Sequence, residues 1–145
     1  MHNCYCFIVF WLCLLGSCVT TPTTNELEKL SNSDSVPLTD LKFLTRRVDF
    51  RSVPEDTLLV AKYSFVNIGK KDLIIEEVAP DCTCTGYTLD KRRVLPGDTG
   101  TIRLKYSTKD KFGEAKVYAT ITANTQTRLY SLEIAASIKN QLNKQ

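Results

Sequence analysis

Histidine, tryptophan and methionine are almost absent from this 145-residue sequence, because it has one residue of each type and all three lie before residue 18. Beyond that point the chain offers no imidazole. A Ser-His-Asp or Cys-His nucleophile, a histidine general base and a histidine-containing metal site are therefore excluded there. Cysteine is scarce in the same region, which holds only Cys18, Cys82 and Cys84. We expect a protein that is not an enzyme.

A concentrated charge of one sign is missing as well. The sequence has 19 Lys and Arg residues against 16 Asp and Glu residues, for a formal net charge of +3. Basic residues recur as scattered pairs with acidic neighbours, namely Arg46-Arg47, Lys70-Lys71 and Arg92-Arg93. Nucleic-acid binding requires a concentrated basic face. We therefore expect no nucleic-acid partner.

The N-terminal segment has the features of an export signal. Residues 5–15 form an apolar run that is too short for a transmembrane helix, which needs about 20 residues. Such a length is typical of the apolar segment of a signal peptide. We therefore predict that residues 1–17 are a signal peptide.

The end of this signal, Leu15-Gly16-Ser17-Cys18, resembles the lipobox of bacterial lipoproteins. The resemblance implies that a signal peptidase recognises Leu15, Gly16 and Ser17 and cuts after Ser17. It also implies that the Cys18 thiol carries a diacylglycerol lipid with fatty acids such as palmitate. The alternative is an ordinary secretory signal with Cys18 as an incidental thiol, and the absence of Lys and Arg from residues 1–3 favours that alternative.

Residues 18–40 are interpreted as a flexible tether. The stretch 20–37 is rich in Thr, Ser, Asn and Pro, with few large apolar groups that could bury surface and order it. About 20 flexible residues span on the order of 25 Å, enough to hold a domain clear of a membrane. We expect a lipid-anchored protein of the bacterial cell envelope with no cofactor besides the lipid on Cys18. Because no acidic run follows Cys18, we expect it to face the periplasm.

Alternation of apolar and polar residues dominates the remainder, which predicts a single all-β domain over residues 41–140 and a polar tail over 141–145. In one example, Ile102, Leu104 and Tyr106 alternate with polar residues. The pattern predicts about seven strands, at residues 45–50, 58–66, 73–78, 83–89, 99–107, 114–123 and 128–139. Pro96 and Gly97 take the central positions of a predicted type II turn. Seven short strands in about 100 residues favour an immunoglobulin-like Greek-key sandwich of two sheets.

Several short motifs follow one another in a characteristic order: Phe65-Val66-Asn67-Ile68-Gly69, an apolar strand, Asp81-Cys82-Thr83-Cys84-Thr85, Leu95-Pro96-Gly97-Asp98 and Gly113. In this order and spacing, over residues 44–138, the chain resembles the domain of unknown function 1573 family. The resemblance implies a bacterial secreted or lipid-anchored protein with a sandwich of the PapD and major-sperm-protein type and no established activity. Thr83 replaces the glycine typical of the family, which argues against a tight turn there.

Cys82 and Cys84 are the only residues of the predicted domain that suggest chemistry. On a regular strand their α-carbons would lie about 6.6 Å apart, at the far edge of disulfide geometry, so a bridge requires a bent backbone. Three interpretations remain open: a structural disulfide or two half-buried thiols, a redox site, and capture of a soft metal such as Cu(I) or Zn(II). The redox interpretation would gain from a nearby cation, for which Lys91, Arg92 and Arg93 are candidates. No further ligand is present to complete a metal site.

The sequence thus predicts a lipid-anchored, non-catalytic binding or structural module of the cell envelope, attached to the membrane and bound to a protein partner. Sandwiches of this type bind through exposed edge strands, to which a partner adds a strand. The predicted edges are residues 45–50 and the segment around Cys82. The alternative function is thiol redox chemistry or soft-metal handling by Cys82 and Cys84.

Overall fold

The computed structural model describes residues 37–139. The predicted signal peptide, the predicted lipidation site Cys18 and the predicted polar tail lie outside this range. The described residues form nine β-strands. These are β1 (Leu41–Phe43), β2 (Arg47–Pro54), β3 (Leu58–Asn67), β4 (Leu73–Pro80), β5 (Thr85–Leu89), β6 (Arg93–Val94), β7 (Thr99–Ser107), β8 (Gly113–Ala123) and β9 (Leu129–Lys139).

The strands form two facing sheets. One sheet has four strands in the order β1-β3-β7-β5, and the other has five in the order β2-β9-β8-β4-β6. Every pair is antiparallel except β2 with β9, which is parallel. The predicted all-β, immunoglobulin-like sandwich is therefore confirmed.

The alternation seen in the sequence separates a buried face from an exposed face on each long strand. In β7, for example, Ile102 and Leu104 are fully buried, whereas Arg103 and Lys105 are exposed. Successive side chains of a strand point to opposite faces, so the apolar set of each sheet meets that of the other. The two elements that the sequence analysis missed, β1 and β6, have three and two residues and are too short to show a period.

Tight packing at one end of the core depends on Gly100 of β7. The Phe65 ring lies against this residue, and a Cβ atom at position 100 would overlap the ring. Phe65 and Tyr130 both pack on Phe43, with ring centroids 5.6 and 5.7 Å away, respectively. Phe43 belongs to β1, so this aromatic cluster holds the short edge strand on the core.

A buried hydrogen-bond network around Asn67 fixes the segment that precedes β1. The Asn67 amide donates hydrogen bonds to the carbonyl oxygens of Lys71 and Val94, at 2.7 and 2.9 Å. Its oxygen accepts from the Thr39 hydroxyl at 3.0 Å and from the Gly69 N–H at 3.1 Å. A Cβ atom on Gly69 would overlap Thr39. These contacts explain the Asn and Gly of the Phe65–Gly69 motif, and they place Thr39 in the sandwich.

The turn after Val94 packs on the same network. Asp98 N–H donates to the Leu95 carbonyl at 3.0 Å, and Gly97 has a φ of 82°. This geometry is that of a type II turn, as the Pro-Gly pair predicts. Gly97 N–H also donates to the Asn67 carbonyl at 2.9 Å, so two of the motifs meet in space.

Candidate functional site

Cys82 and Cys84 lie in a turn between β4 and β5, where the structure joins them in a disulfide bond. Thr85 N–H donates to the Cys82 carbonyl at 3.0 Å, which closes the turn. The two α-carbons are 5.2 Å apart, well inside the range that a disulfide requires. The prediction that a strand begins at residue 83 is therefore wrong. So is the expectation that Thr83 opposes a tight turn, because Thr83 takes part in this one without a positive φ.

Arg92 and Arg93, two of the three cations considered as activators of a Cys82 or Cys84 thiol, have other partners. The Arg92 guanidinium donates to the carbonyls of Ile75 and Glu76, at 3.4 and 2.8 Å, and Arg93 forms an ion pair with Asp72. Both arginines follow β5, whereas the cysteines precede it, so a strand of about 16 Å separates them. The fold therefore does not bring these two arginines close to the cysteines, as the redox interpretation would require.

A shallow groove of about 330 Å³ lies beside the disulfide. Lys111, Lys116 and the exposed Phe112 contribute to its walls. Both cysteines are half-buried and pack against the core. Within residues 37–139, no cluster of three or more His, Cys, Asp or Glu side chains could hold a metal ion.

Two buried tyrosines of this sandwich have shifted pKa values. Burial, followed by the nearby Glu133 carboxylate, raises the pKa of Tyr63, whose hydroxyl donates to the Glu133 carbonyl at 2.6 Å. Burial also raises the pKa of Tyr106, which pairs with Thr85 at the start of β5. Both shifts favour the neutral phenol and follow from core packing.

The disulfide turn leads directly into β5, which is an edge of the four-stranded sheet. Ser107 N–H donates to the Cys84 carbonyl and Asp90 N–H donates to the Thr101 carbonyl, each at 3.2 Å. Hydrogen-bonded positions alternate along an antiparallel strand, so Gly86 and Thr88 also bond to β7. Tyr87 and Leu89 consequently direct their backbone N–H and C=O groups away from the sheet. The predicted edge around Cys82 is therefore present, as β5.

The other three edge strands, β1, β2 and β6, have features that disfavour the addition of a further strand. β2, which overlaps the predicted edge at residues 45–50, has three charged residues, a proline and a bulge where Arg51 has a φ of 55°. β1 and β6 are short and carry Lys42 and Arg93, respectively. By contrast, β5 reads Thr-Gly-Tyr-Thr-Leu, with neither charge nor proline. Natural proteins protect exposed edges with such groups, so β5 is the unprotected edge among the described strands.

The outer face of the same sheet is basic. The strands β1, β3, β5 and β7 contain no Asp or Glu and four cations, Lys42, Lys62, Arg103 and Lys105, all exposed. We call these four residues the basic face. The five-stranded sheet, by contrast, carries five basic and five acidic residues. The basic face is not recognisable from the sequence because its members lie on three separate strands.

A helix able to cross a membrane does not occur among residues 37–139. The family model described as "Protein of unknown function (DUF1573)" matches residues 41–138. This match confirms the resemblance found in the sequence. Among curated proteins, none matches the chain.

Solved structures share the fold at low sequence identity. A protein of unknown function from Porphyromonas gingivalis W83 has a TM-score of 0.64 and 13% identity, over 74% of this chain and 50% of that one. The PapD-like domain 7 of human CEP192 has a TM-score of 0.52 and 8% identity, over 72% and 88% of the two chains. The secreted serine protease VesC from Vibrio cholerae has a TM-score of 0.54 and 11% identity, over 69% and 23%. The chain thus spans half of the first structure and about a quarter of the protease.

Proposed function

The chain belongs to the DUF1573 family, and from this premise we propose that it is a lipid-anchored protein of the bacterial cell envelope. In this proposal its sandwich is a non-catalytic module that binds a protein partner by adding the partner's strand to β5. The covalent lipid on Cys18 attaches it to the membrane, on the periplasmic side.

The unprotected edge of β5 is the observation that carries the binding proposal. Tyr87 and Leu89 present outward N–H and C=O groups, and a partner strand would satisfy these groups in a continuous ladder. Tyr87 is 42% exposed although its side chain lies on the inner face of the sheet. An added strand would cover this ring and so contribute apolar burial as well as hydrogen bonds.

Photo-crosslinking in living cells tests the binding site. The photoreactive amino acid benzoylphenylalanine replaces Tyr87 in one variant and Tyr118 in the other. Tyr118 is a matched control because it is also a tyrosine, is 40% exposed and lies on the outer face of the five-stranded sheet. We expect discrete cross-linked species from position 87 and none from position 118. Equal products from both positions, or none from position 87, would contradict the proposal.

Anchoring rests on the sequence Leu15-Gly16-Ser17-Cys18 and on the tether that follows it. The test is metabolic labelling with radioactive palmitate, together with membrane fractionation of a Cys18→Ala variant. We expect the native protein to take up label and remain in the membrane fraction, and the variant to do neither. A variant that stays membrane-bound would refute the anchor.

Thiol redox or soft-metal chemistry at Cys82 and Cys84 is the competing function. The half-buried disulfide beside the basic residues Lys111 and Lys116 supports only its redox form, because a soft metal binds the reduced thiolates. Alkylation of free thiols in the native envelope, followed by intact mass and metal analysis, distinguishes the two. A homogeneous disulfide without metal supports the binding module. A mixture of dithiol, disulfide and partner adducts, or bound metal, would favour the competing function.

A further inference from the structure

The basic face and the open edge of β5 belong to the same sheet, and two residues of β5 pair directly with two cations of the basic face. Gly86 lies opposite Lys105, and Thr88 lies opposite Arg103. These two β5 residues are exposed on the outer face, where Gly86 has no side chain and a Cβ atom there would meet nothing within 4 Å. Lys105 therefore has an open path over Gly86 toward the strand position beyond β5, and Arg103 faces only the short Thr88 side chain.

The basic face lacks anionic partners within the described residues. The ion pairs that the described residues form involve Arg47, Arg93 and Arg128, and these three arginines lie outside the four-stranded sheet. In addition, Lys62 of β3 lies directly opposite Arg103 of β7. Like charges in this position repel each other and destabilise a sheet. A carboxylate placed nearby would relieve this repulsion.

We infer that the partner strand received by β5 is acidic, with Asp or Glu at alternate positions on the outer face of the extended sheet. This inference rests on the proposed strand addition at β5. An added strand would lie about 5 Å from β5 and about 10 Å from β7. Over that distance, a Glu opposite Gly86 and the long side chain of Lys105 reach toward each other. Thr88 is short enough to allow the same approach to Arg103.

The alternating pattern follows from the two faces of the added strand. Its outer side chains would meet Lys105 and Arg103, while its inner side chains would lie beside the Tyr87 ring and the edge of the core. Inner positions therefore suit apolar residues and outer positions suit carboxylates. Strand addition supplies affinity through the backbone and specificity through alternate side chains.

The test uses full-length protein purified in detergent and two end-blocked hexapeptides, one of alternating Glu and Val and the other of alternating Gln and Val. Gln has the shape of Glu without its charge, so the pair isolates the effect of charge. Binding is measured by fluorescence anisotropy, and the site is located from the amide NMR shifts of Tyr87 and Leu89. Two partly exposed ion pairs predict that the acidic probe binds about tenfold more tightly in low salt. Salt should reduce this preference.

Two variants with the same loss of charge locate the effect on the sheet. Lys105→Met should weaken binding of the acidic probe about threefold. Lys42→Met should leave it unchanged, because β1 is three strands away from β5. Both residues are exposed, so neither substitution disturbs the core. Equal losses in the two variants would overturn the inference.

Other outcomes separate this inference from the proposed function. If both peptides bind equally and shift the β5 amides, strand addition stands but the acidic partner is refuted. If vesicles containing phosphatidylglycerol bind the face and displace the acidic probe, with both Met variants equally weakened, the face contacts lipid and the inference fails. If neither peptide binds, the inference fails. The cross-linking at position 87 then decides separately whether the proposed function fails too.

Discussion

Replacement of Asn67 by Ala should destabilise the sandwich strongly although it removes few atoms. The side chain is fully buried and takes part in four hydrogen bonds, two as donor and two as acceptor. The Lys71 carbonyl would keep a partner, because the Thr39 hydroxyl also donates to it at 2.9 Å. The Thr39 hydroxyl has a single proton, so this bond satisfies Thr39 too. The Val94 carbonyl and the Gly69 N–H would each lose a partner, at roughly 1.5 kcal/mol apiece. We therefore expect a loss of about 3 kcal/mol.

Such a loss is a large part of the total stability of a domain, which is about 5–15 kcal/mol. For a domain of about 100 residues it should lower the melting temperature by roughly 12–24 °C. Urea unfolding followed by circular dichroism measures the change in free energy. A loss below about 1 kcal/mol would refute the reasoning.

The matched variant Asn67→Asp keeps the size of the side chain but loses the N–H groups that face the Lys71 and Val94 carbonyls. A carboxylate in this place would meet two carbonyl oxygens without a donor, at a cost for a buried charge. We expect Asn67→Asp to be at least as destabilising as Asn67→Ala at neutral pH. A stability close to that of the native protein would show that shape alone matters at this position.

Three further predictions concern stability and use urea unfolding. Gly100→Ala should cost about 1–3 kcal/mol because its Cβ atom overlaps Phe65, whereas Gly86→Ala in the same sheet should stay within about 0.5 kcal/mol; similar losses would contradict the packing. The raised pKa of Tyr63 means that the folded state holds the neutral phenol, so its contribution is complete below about pH 10 and is lost at higher pH. Tyr63→Phe should therefore reduce the alkaline loss of stability, and an unchanged profile would argue against this effect. The Cys82–Cys84 disulfide closes only a very short loop, so its reduction should cost about 1.5 kcal/mol without unfolding the domain. Complete unfolding on reduction would contradict this prediction.

The sequence was sufficient for the long strands because each has one buried and one exposed face. β3 and β7 begin at residues 58 and 99, as predicted. The turn at Cys82 escaped prediction because its residues continue the alternation of β5, and only the hydrogen bond from Thr85 to Cys82 reveals the bend. Asn67 was visible as part of a motif, but its partners Thr39 and Val94 are 28 and 27 residues away in the chain.

The candidate site was predictable only in part. The segment around Cys82 was expected at an edge, but which edge remains open depends on the charges and bulges of all the edge strands together. The basic face depends on register, which brings Lys62 and Arg103 opposite each other across 41 positions of sequence. Pairs of basic residues adjacent in sequence, such as Arg92 and Arg93, instead bind the backbone of β4 and the Asp72 carboxylate.

Hydrogen exchange at the backbone amides of β5 tests the central claim most directly, namely that this edge is open in the free protein and occupied in the envelope. In purified protein, we expect Tyr87 and Leu89 to exchange rapidly while Gly86 and Thr88, which bond to β7, are protected. In native envelope, measured by mass spectrometry at single-residue resolution, Tyr87 and Leu89 should become protected as well. Equal exchange of these two amides in both states would contradict strand addition at β5.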